Sequence, residues 1–498
     1  MRMAGVLMPV FSLPSKYGIG CFSKEAYDFV DHLKAAGQSI WQILPLGPTS
    51  YGDSPYSSFS TFAGNPYYID LERLIHKGWI TQEEADAIDF GTNPLEIDYE
   101  KVYENRYKLL RIAFQRSAIS RKRQFLEFRR KNAFWLEEYA LYMAIKDEKK
   151  SVSWTEWDED LKLRKSGPLK EAKKRLKDDI EFYEFLQYEF EVEWMALKSY
   201  ANNNGIRIVG DIPIYVALDS ADAWSNPKLF QFDALMQPKG VAGCPPDAFT
   251  EDGQLWGNPL YDWPYHKETG YDWWLKRLER CFQLYDIVRI DHFRGFDSYY
   301  AIPYGEKTAV KGKWEKGPGY ALFDTIKKTL GNRPIIAEDL GFLTPSVLRL
   351  VKRTGFPGMK ILEFAFDAKG DSVYLPHHHI QNSVVYTGTH DNDTLLGWFG
   401  QMSKRDRKFA TKYLDLKGVA MKEIPWKFIR AAYMSVADYC IIPMQDYLGL
   451  GSEGRINTPS TLGGNWVWRM DAKAFTKKLE KRMMKYVKTY KRLGNSGK

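Results

Sequence analysis

The chain predicts an α/β fold, a closed (β/α)8 TIM barrel with large, mainly helical insertions between strands and no C-terminal β-sandwich. Three observations lead there. Eight short, apolar, β-branched runs recur along 498 residues. From the third run onward they alternate with helical patterns, the signature of parallel strands joined by crossover helices. The runs are near-continuously apolar rather than alternating, as strands covered on both faces must be.

The eight runs lie at 5–11, 39–44, 206–214, 287–290, 334–337, 359–364, 383–387 and 440–444. Helical patterns follow the later ones, at 273–284, 321–330, 345–353 and 426–437, and a last helix is expected from about 472 to 493. The interval from about 46 to 204 is too long for one crossover and reads as helical insertion. A second insertion, about 216–272, is dense in Pro, Gly, Asp and Trp and includes a loop at 245–263. There is no low-complexity linker and no repeat of 20–50 residues. The whole of 1–498 therefore reads as one elaborated catalytic domain.

Composition narrows the function classes. The formal charge of +8 invites a nucleic-acid partner. However, Lys and Arg concentrate at 121–131, 161–177 and 477–492, where Leu479, Met483, Tyr486 and Tyr490 interleave at helical spacing. Those segments read as solvated faces of amphipathic helices, so no nucleic-acid partner is expected. The four cysteines are far apart and form no CxxC pair, which fits a reducing compartment. Residues 1–12 lack a signal-peptide run, and no stretch reaches the ~20 apolar residues of a membrane span. A cytoplasmic protein without a membrane partner is expected. Sixteen Trp, 31 Tyr and 28 Phe exceed what is usual; most serve the core, but such rings also stack on sugars.

Barrel enzymes carry their chemistry at the C-terminal ends of strands. Acids stand at four of those ends here: Asp211 after the third run, Asp291 after the fourth, Glu338 after the fifth, and Asp391 with Asp393 after the seventh. Single acids there are commonly caps; four ends with Arg289, His292 and His390 beside them are not explained by stability. Cleavage of a glycosidic bond needs one carboxylate as nucleophile and one carboxyl group as acid, roughly 5–5.5 Å apart in retaining enzymes. Adjacent strands can supply that spacing, so Asp291 and Glu338 are the natural pair. Arg289, two residues before Asp291, projects to the same side of its strand and favours an ionised nucleophile.

The longer strings carry a resemblance. SPYSSFSTFAGNPYYIDL at 54–71, GDIPIYVALDSADAWSNP at 210–227, PPDAFTEDGQLWGNPLYDW at 245–263, VRIDHFRGF at 288–296, AEDLG at 337–341, TGTHDNDT at 387–394 and GGNWVWR at 463–469 follow in order across almost the whole chain. Together they resemble the α-amylase superfamily and, within it, the 4-α-glucanotransferases (amylomaltases, disproportionating enzymes) of glycoside hydrolase family 77. The resemblance implies Asp291 as nucleophile, Glu338 as general acid/base and Asp391 as the transition-state stabiliser. It implies that Arg289, His390 and Asp211 bind the same sugar ring, with Tyr56 stacked on it and Ser54 nearby. Asp247, Phe249, Gln254, Trp256 and Asn258 would lie near substrate on a loop over the cleft; His292 and Asn457 are further contacts. The implied partners are malto-oligosaccharides and starch- or glycogen-like α-1,4-glucans, and the implied reaction is transfer to a glucan or glucose 4-hydroxyl. Neither a cofactor nor a metal is implied. A lid that excludes water favours a sugar acceptor, and three Pro, two Gly, one Phe and two Trp suit 245–263 to that task.

Other readings stay beside this one. A hydrolase of the same superfamily would share every residue named, and a silent glucan-binding protein would be expected to have lost a carboxylate. His377, His378 and His379 read as a surface loop rather than a metal site, since consecutive side chains diverge. TGTHDNDT lacks the Gly spacing and terminal Glu of an EF-hand. Glycines 449, 451, 463 and 464 follow the eighth run without a GxGxxG fingerprint. Tyr51 and its aromatic neighbours suit either packing or a second glucan surface. Monomer and dimer are both compatible with the sequence.

Overall fold

Eight parallel strands form one sheet in the computed structural model, which describes residues 2–50, 52–246, 251–341 and 343–494. In chain order they are β1 (Met3–Leu7), β2 (Ile40–Gln42), β3 (Arg207–Ile212), β4 (Ile287–Ile290), β5 (Ile335–Ala337), β6 (Gly358–Ile361), β7 (Ser383–Tyr386) and β8 (Tyr439–Pro443). Each pairs in parallel with its sequence neighbour except β5 with β6, and β8 returns to β1 with Gly5 opposite Ile441. Between β5 and β6 the wall is closed by Ala337 N–H donating to Pro357 O at 3.0 Å and Met359 N–H to Asp339 Oδ1 at 2.7 Å. The expected barrel is present; β4 matches its apolar run, β8 is shifted by one residue, and the other strands are shorter than the runs that announced them.

Side-chain parity sorts the residues of each strand. Leu7, Ile40, Val209, Ile287, Ile336, Met359, Ile361, Val384 and Ile441 form the cluster inside the barrel. Val6, Trp41, Ile208, Val288, Ile290, Ala337, Val385 and Ile442 belong to the large cluster beneath the helices. Gly5 marks a close approach of β1 and β2, because a Cβ there would meet Ile40 Cβ at 2.6 Å. At the C-terminal ends the inward positions turn polar. Asp211 on β3 faces Arg289 on β4 in direct register. Ile290 and Ala337 point outward, so the next residues, Asp291 and Glu338, turn toward the mouth.

The segment after β2 is helical, led by Tyr99–Ser117, Arg123–Glu148 and Lys177–Asn203. Asp98 caps the first by accepting from Lys101 N–H at 3.2 Å. The third delivers the chain to β3 through Gly205, whose φ of +77° suits glycine. Trp194 on that helix donates its indole N–H to Leu284 O at 3.0 Å, fastening it to the helix Asp272–Leu284.

The segment after β3 contains β structure that the sequence reading does not include. Gly240–Cys244 and Gln254–Pro259 pair antiparallel. They join Ser298–Pro303 and Lys313–Lys316, which follow β4, in a four-stranded sheet beside the mouth. The buried Arg277 Nη1 donates to Ile214 O at 2.9 Å and Tyr261 Oη to the same oxygen at 2.8 Å, pinning the exit of β3. Among the described residues, no helix is long and apolar enough to cross a membrane.

Candidate active site

At the centre of the mouth one guanidinium holds two acids. Arg289 Nη1 lies 2.8 and 2.6 Å from the two oxygens of Asp211, and Nη2 lies 2.9 Å from Asp291 Oδ1. Arg289 and Asp211 are buried, whereas the Asp291 side chain keeps 31% of its surface open to the cleft. Burial works against the Arg289 charge, but Asp211 and Asp291 outweigh it and hold the guanidinium protonated. Tyr56 Oη donates to Asp211 Oδ2 at 2.9 Å, so the loop after β2 is tied to the same acid.

Glu338 is held by backbone. His292 N–H donates to its Oε2 at 2.7 Å and Leu340 N–H to its Oε1 at 2.8 Å. His292 reaches that position with φ of +51°, a left-handed conformation that is uncommon outside glycine. Burial and the neighbouring Asp291 carboxylate push the Glu338 carboxyl up to about 8, against the pull of Arg289 and the two N–H donors. Two acids on adjacent strand ends thus occupy different environments, one ion-paired and one inclined to keep its proton.

The third acid is clamped from β7 and β8. His390 Nε2 lies 3.3 Å from Asp391 Oδ2, Asn457 Nδ2 donates to Oδ1 at 2.7 Å, and Arg455 Nη2 donates to the Asp391 carbonyl at 3.0 Å. Burial pushes Asp391 up, but His390, Asn457 and Arg289 reverse that and bring it down to about 2. For His390 burial lowers the pKa, yet Asp391 turns the net shift upward. Asp393 turns away, bonded to Ser452 Oγ at 2.7 Å and Gln401 Nε2 at 2.9 Å.

Aromatic rings wall the cleft. Tyr56 stacks on His390 with centroids 5.1 Å apart and planes 16° from parallel. Trp256 meets His292 edge-on at 4.8 Å and remains 36% exposed. Burial lowers His292 to about 4, which leaves a neutral imidazole. Its Nε2 and the Nδ1 of His390 are buried with no hydrogen-bond partner among the described residues.

The structure brings Tyr56, Asp211, Arg289, Asp291, His292, Glu338, His390, Asp391 and Asn457 into one connected network, with Trp256 at its edge. Other residues stand further out. Ser54 Oγ accepts from Tyr56 N–H at 3.3 Å and shapes the turn that presents the ring. Gln254 Oε1 accepts from Trp256 Nε1 at 3.0 Å, and Asn258 Nδ2 is committed to Val216 O at 2.7 Å. Asp247, Phe249 and Tyr51 lie outside the described residues. His379 is buried and bonds Ser435 Oγ at 2.7 Å, while His377 and His378 are exposed beside Asp371.

Sequence reasoning missed two participants. Trp466 lies 6.0 Å from both Tyr56 and His390 and is buried with φ of +65°. Arg455 fixes the Asp391 backbone. Trp466 sits inside the GGNWVWR string, but no local signal marks a tryptophan that must take a left-handed backbone.

A parallel barrel that presents an ion-paired carboxylate and a protonated carboxyl group from adjacent strands has the layout of enzymes acting on glycosidic bonds with two carboxyl groups. The 4-alpha-glucanotransferases of glycoside hydrolase family 77 match residues 8–474, and the chain belongs to that family. The 4-alpha-glucanotransferase of Clostridium butyricum is 49% identical over 487 residues, spanning 97% of this chain and 100% of the relative. That of Streptococcus pneumoniae is 48% identical over 498 residues, spanning 99% and 98%. The amylomaltase of Streptococcus agalactiae, solved in complex with acarbose, superposes with a TM-score of 0.96 at 41% identity, over 99% of this chain and 100% of that one.

Proposed function

We propose that the chain transfers a segment of a 1,4-α-D-glucan to the 4-hydroxyl of another glucan or of glucose, through a retaining double displacement. Asp291 attacks the anomeric carbon while Glu338 gives its proton to the leaving 4-oxygen, and a glucosyl ester forms on Asp291. Glu338, now ionised, takes the proton of the incoming 4-hydroxyl, which displaces Asp291 and restores the acid. Asp391, ionised throughout, binds hydroxyls of the distorted ring as positive charge develops. Arg289, Asp211, His390, Tyr56 and Asn457 hold that ring, and the unpartnered nitrogens of His390 and His292 are free for its hydroxyls. The contrast between the ion-paired Asp291 and the proton-retaining Glu338 carries this reading.

Transfer rather than hydrolysis is supported by the wall that Trp256 forms against His292, braced by Gln254 on the same indole, which shields the ester from water. Malto-oligosaccharides and starch- or glycogen-like glucans are the substrates, in keeping with the acarbose held by the streptococcal amylomaltase. The buried thiols of Cys21, Cys281 and Cys440 suit a reducing, cytoplasmic setting. Incubation with maltotriose tests the whole reading. Glucose plus a ladder of longer maltodextrins at constant reducing ends is expected; rising reducing ends without longer products would make the enzyme a hydrolase.

A further inference from the structure

Where the insertion helix Arg123–Glu148 meets the shoulder of the barrel, a cavity of about 210 Å³ opens. A single water needs only ~10–15 Å³ of such space, so the cavity suits a far larger guest. Its walls are Phe62 from the loop after β2, Phe134, Trp135 and Tyr139 from the insertion helix, and Trp273 from the helix Asp272–Leu284. Tyr56, Asp211, Arg289, Asp291, Glu338, His390 and Asp391 are not among its lining residues.

The rings pack as one cluster that opens to solvent at Phe134. Phe62 meets Phe134 edge-on at 5.5 Å and Trp273 edge-on at 6.0 Å, and lies 16° from parallel with Trp135 at 6.4 Å. Phe134 keeps 50% of its surface exposed at the entrance. Two polar groups on the walls are unsatisfied: the Tyr139 hydroxyl and the Trp273 indole N–H are buried without a hydrogen-bond partner. Tyr139 is 1% and Trp273 8% exposed, so bulk water does not satisfy them. Glu138, Asp222 and Asn226 add acceptors to the lining, and its one cation, Lys276, is already paired with Asp272 at 2.7 Å.

We infer that this cavity is a second carbohydrate site, which takes one or two glucosyl units of an α-1,4-glucan away from the point of cleavage. A pyranose offers an apolar C–H face to aromatic rings and hydroxyls around its edge, the two things this cavity lacks partners for. The carboxylates at the lining disfavour an anionic guest such as a sugar phosphate. The inference rests on the α-glucan reading of the active site. Both sites draw on the loop after β2: Tyr56 serves one and Phe62 the other. Thr61 N–H, between them, donates to Asp222 Oδ2 at 2.8 Å. A long glucan held at both points gains by avidity, whereas a trisaccharide cannot.

The test uses the full-length enzyme with Phe134→Ala and, because its hydroxyl has no partner to lose, Tyr139→Phe. Each variant should raise KM for long-chain amylose by about three- to tenfold, as loss of a tether does, with maltotriose transfer unchanged. Calorimetric titration of Asp291→Asn protein with maltotriose should give two sites per chain, and one when Phe134→Ala is added. One site in both backgrounds, with amylose KM unmoved in an active parent, would overturn the second site. A parent that neither converts nor binds maltotriose would instead count against the proposed function.

Discussion

Arg289 Nη2 lies 2.9 Å from Asp291 Oδ1, and the same guanidinium is anchored on its other side by the buried Asp211. The arginine therefore has a fixed position from which to orient Asp291, and the acid keeps one oxygen for the anomeric carbon. If Asp291 is the nucleophile, Asn at 291 removes the attacking charge with little change in shape. Maltotriose transfer should fall on the order of 10⁴-fold or more, as for other covalent nucleophiles. The thermal midpoint should hold, since Asp291 is partly open to the cleft. A variant retaining a tenth of the parental rate would remove Asp291 from that role.

Glu338 must be protonated for the first step and is pushed up to about 8 by burial and by Asp291. The competent free enzyme is therefore lost as pH rises through about 8, and kcat/KM should bend downward there. Asp391, brought down to about 2 by His390 and Asn457 against its burial, stays ionised throughout and adds no limb near neutrality. Rates with an activated donor, whose leaving group needs no proton, should lose the alkaline bend. A bend at the same pH with both donors would assign it to another group.

What the sequence made legible follows from what is local. Asp211, Asp291, Glu338 and Asp391 could be found because strand ends are marked by the apolar runs before them, and β4 occupies the expected 287–290. The inward set of each strand follows from its alternation, which is why Arg289 and Asp291 share a face. The four-stranded sheet was hidden because it pairs 240–259 with 298–316 across β4, and its first two strands are interrupted by Gly. Trp466 was hidden because its role depends on a backbone conformation set by distant packing. The burial that raises the Glu338 carboxyl is likewise tertiary, and no spacing of letters encodes it.

Asn457 acts through Asp391. Its Nδ2 bond to Oδ1 at 2.7 Å and the His390 contact to Oδ2 at 3.3 Å grip the carboxylate from both sides. Asn457→Ala frees one oxygen and lets the acid swing away from the ring it stabilises. The kcat for maltotriose should drop by about ten- to a hundredfold, the usual cost of an ångström-scale misplacement. Asn457→Asp should do worse, since it sets two carboxylates against each other. An unchanged kcat with raised KM in Asn457→Ala would make the residue a ground-state contact instead of a positioning one.

The raised Glu338 also couples to folding, and the sign can be worked out. In the unfolded chain a glutamate titrates at ~4.3; in the native protein Glu338 holds its proton to about 8. Between those values the native state binds a proton that the unfolded state has released. Its contribution to stability is whole below the lower pKa and is lost as pH rises through the upper one. Glu338→Gln keeps the shape and removes the titration. Its amide sets an N–H against one of the two backbone donors, His292 or Leu340, but that penalty does not depend on pH. The discriminating quantity is therefore a slope. Urea midpoints from pH 5 to pH 8 should fall more steeply for the parent than for the variant, with the difference moving steadily in the variant's favour. Parallel curves would mean that Glu338 ionises in the native state as easily as in the unfolded chain, and the proton assigned to the first step would have to come from elsewhere.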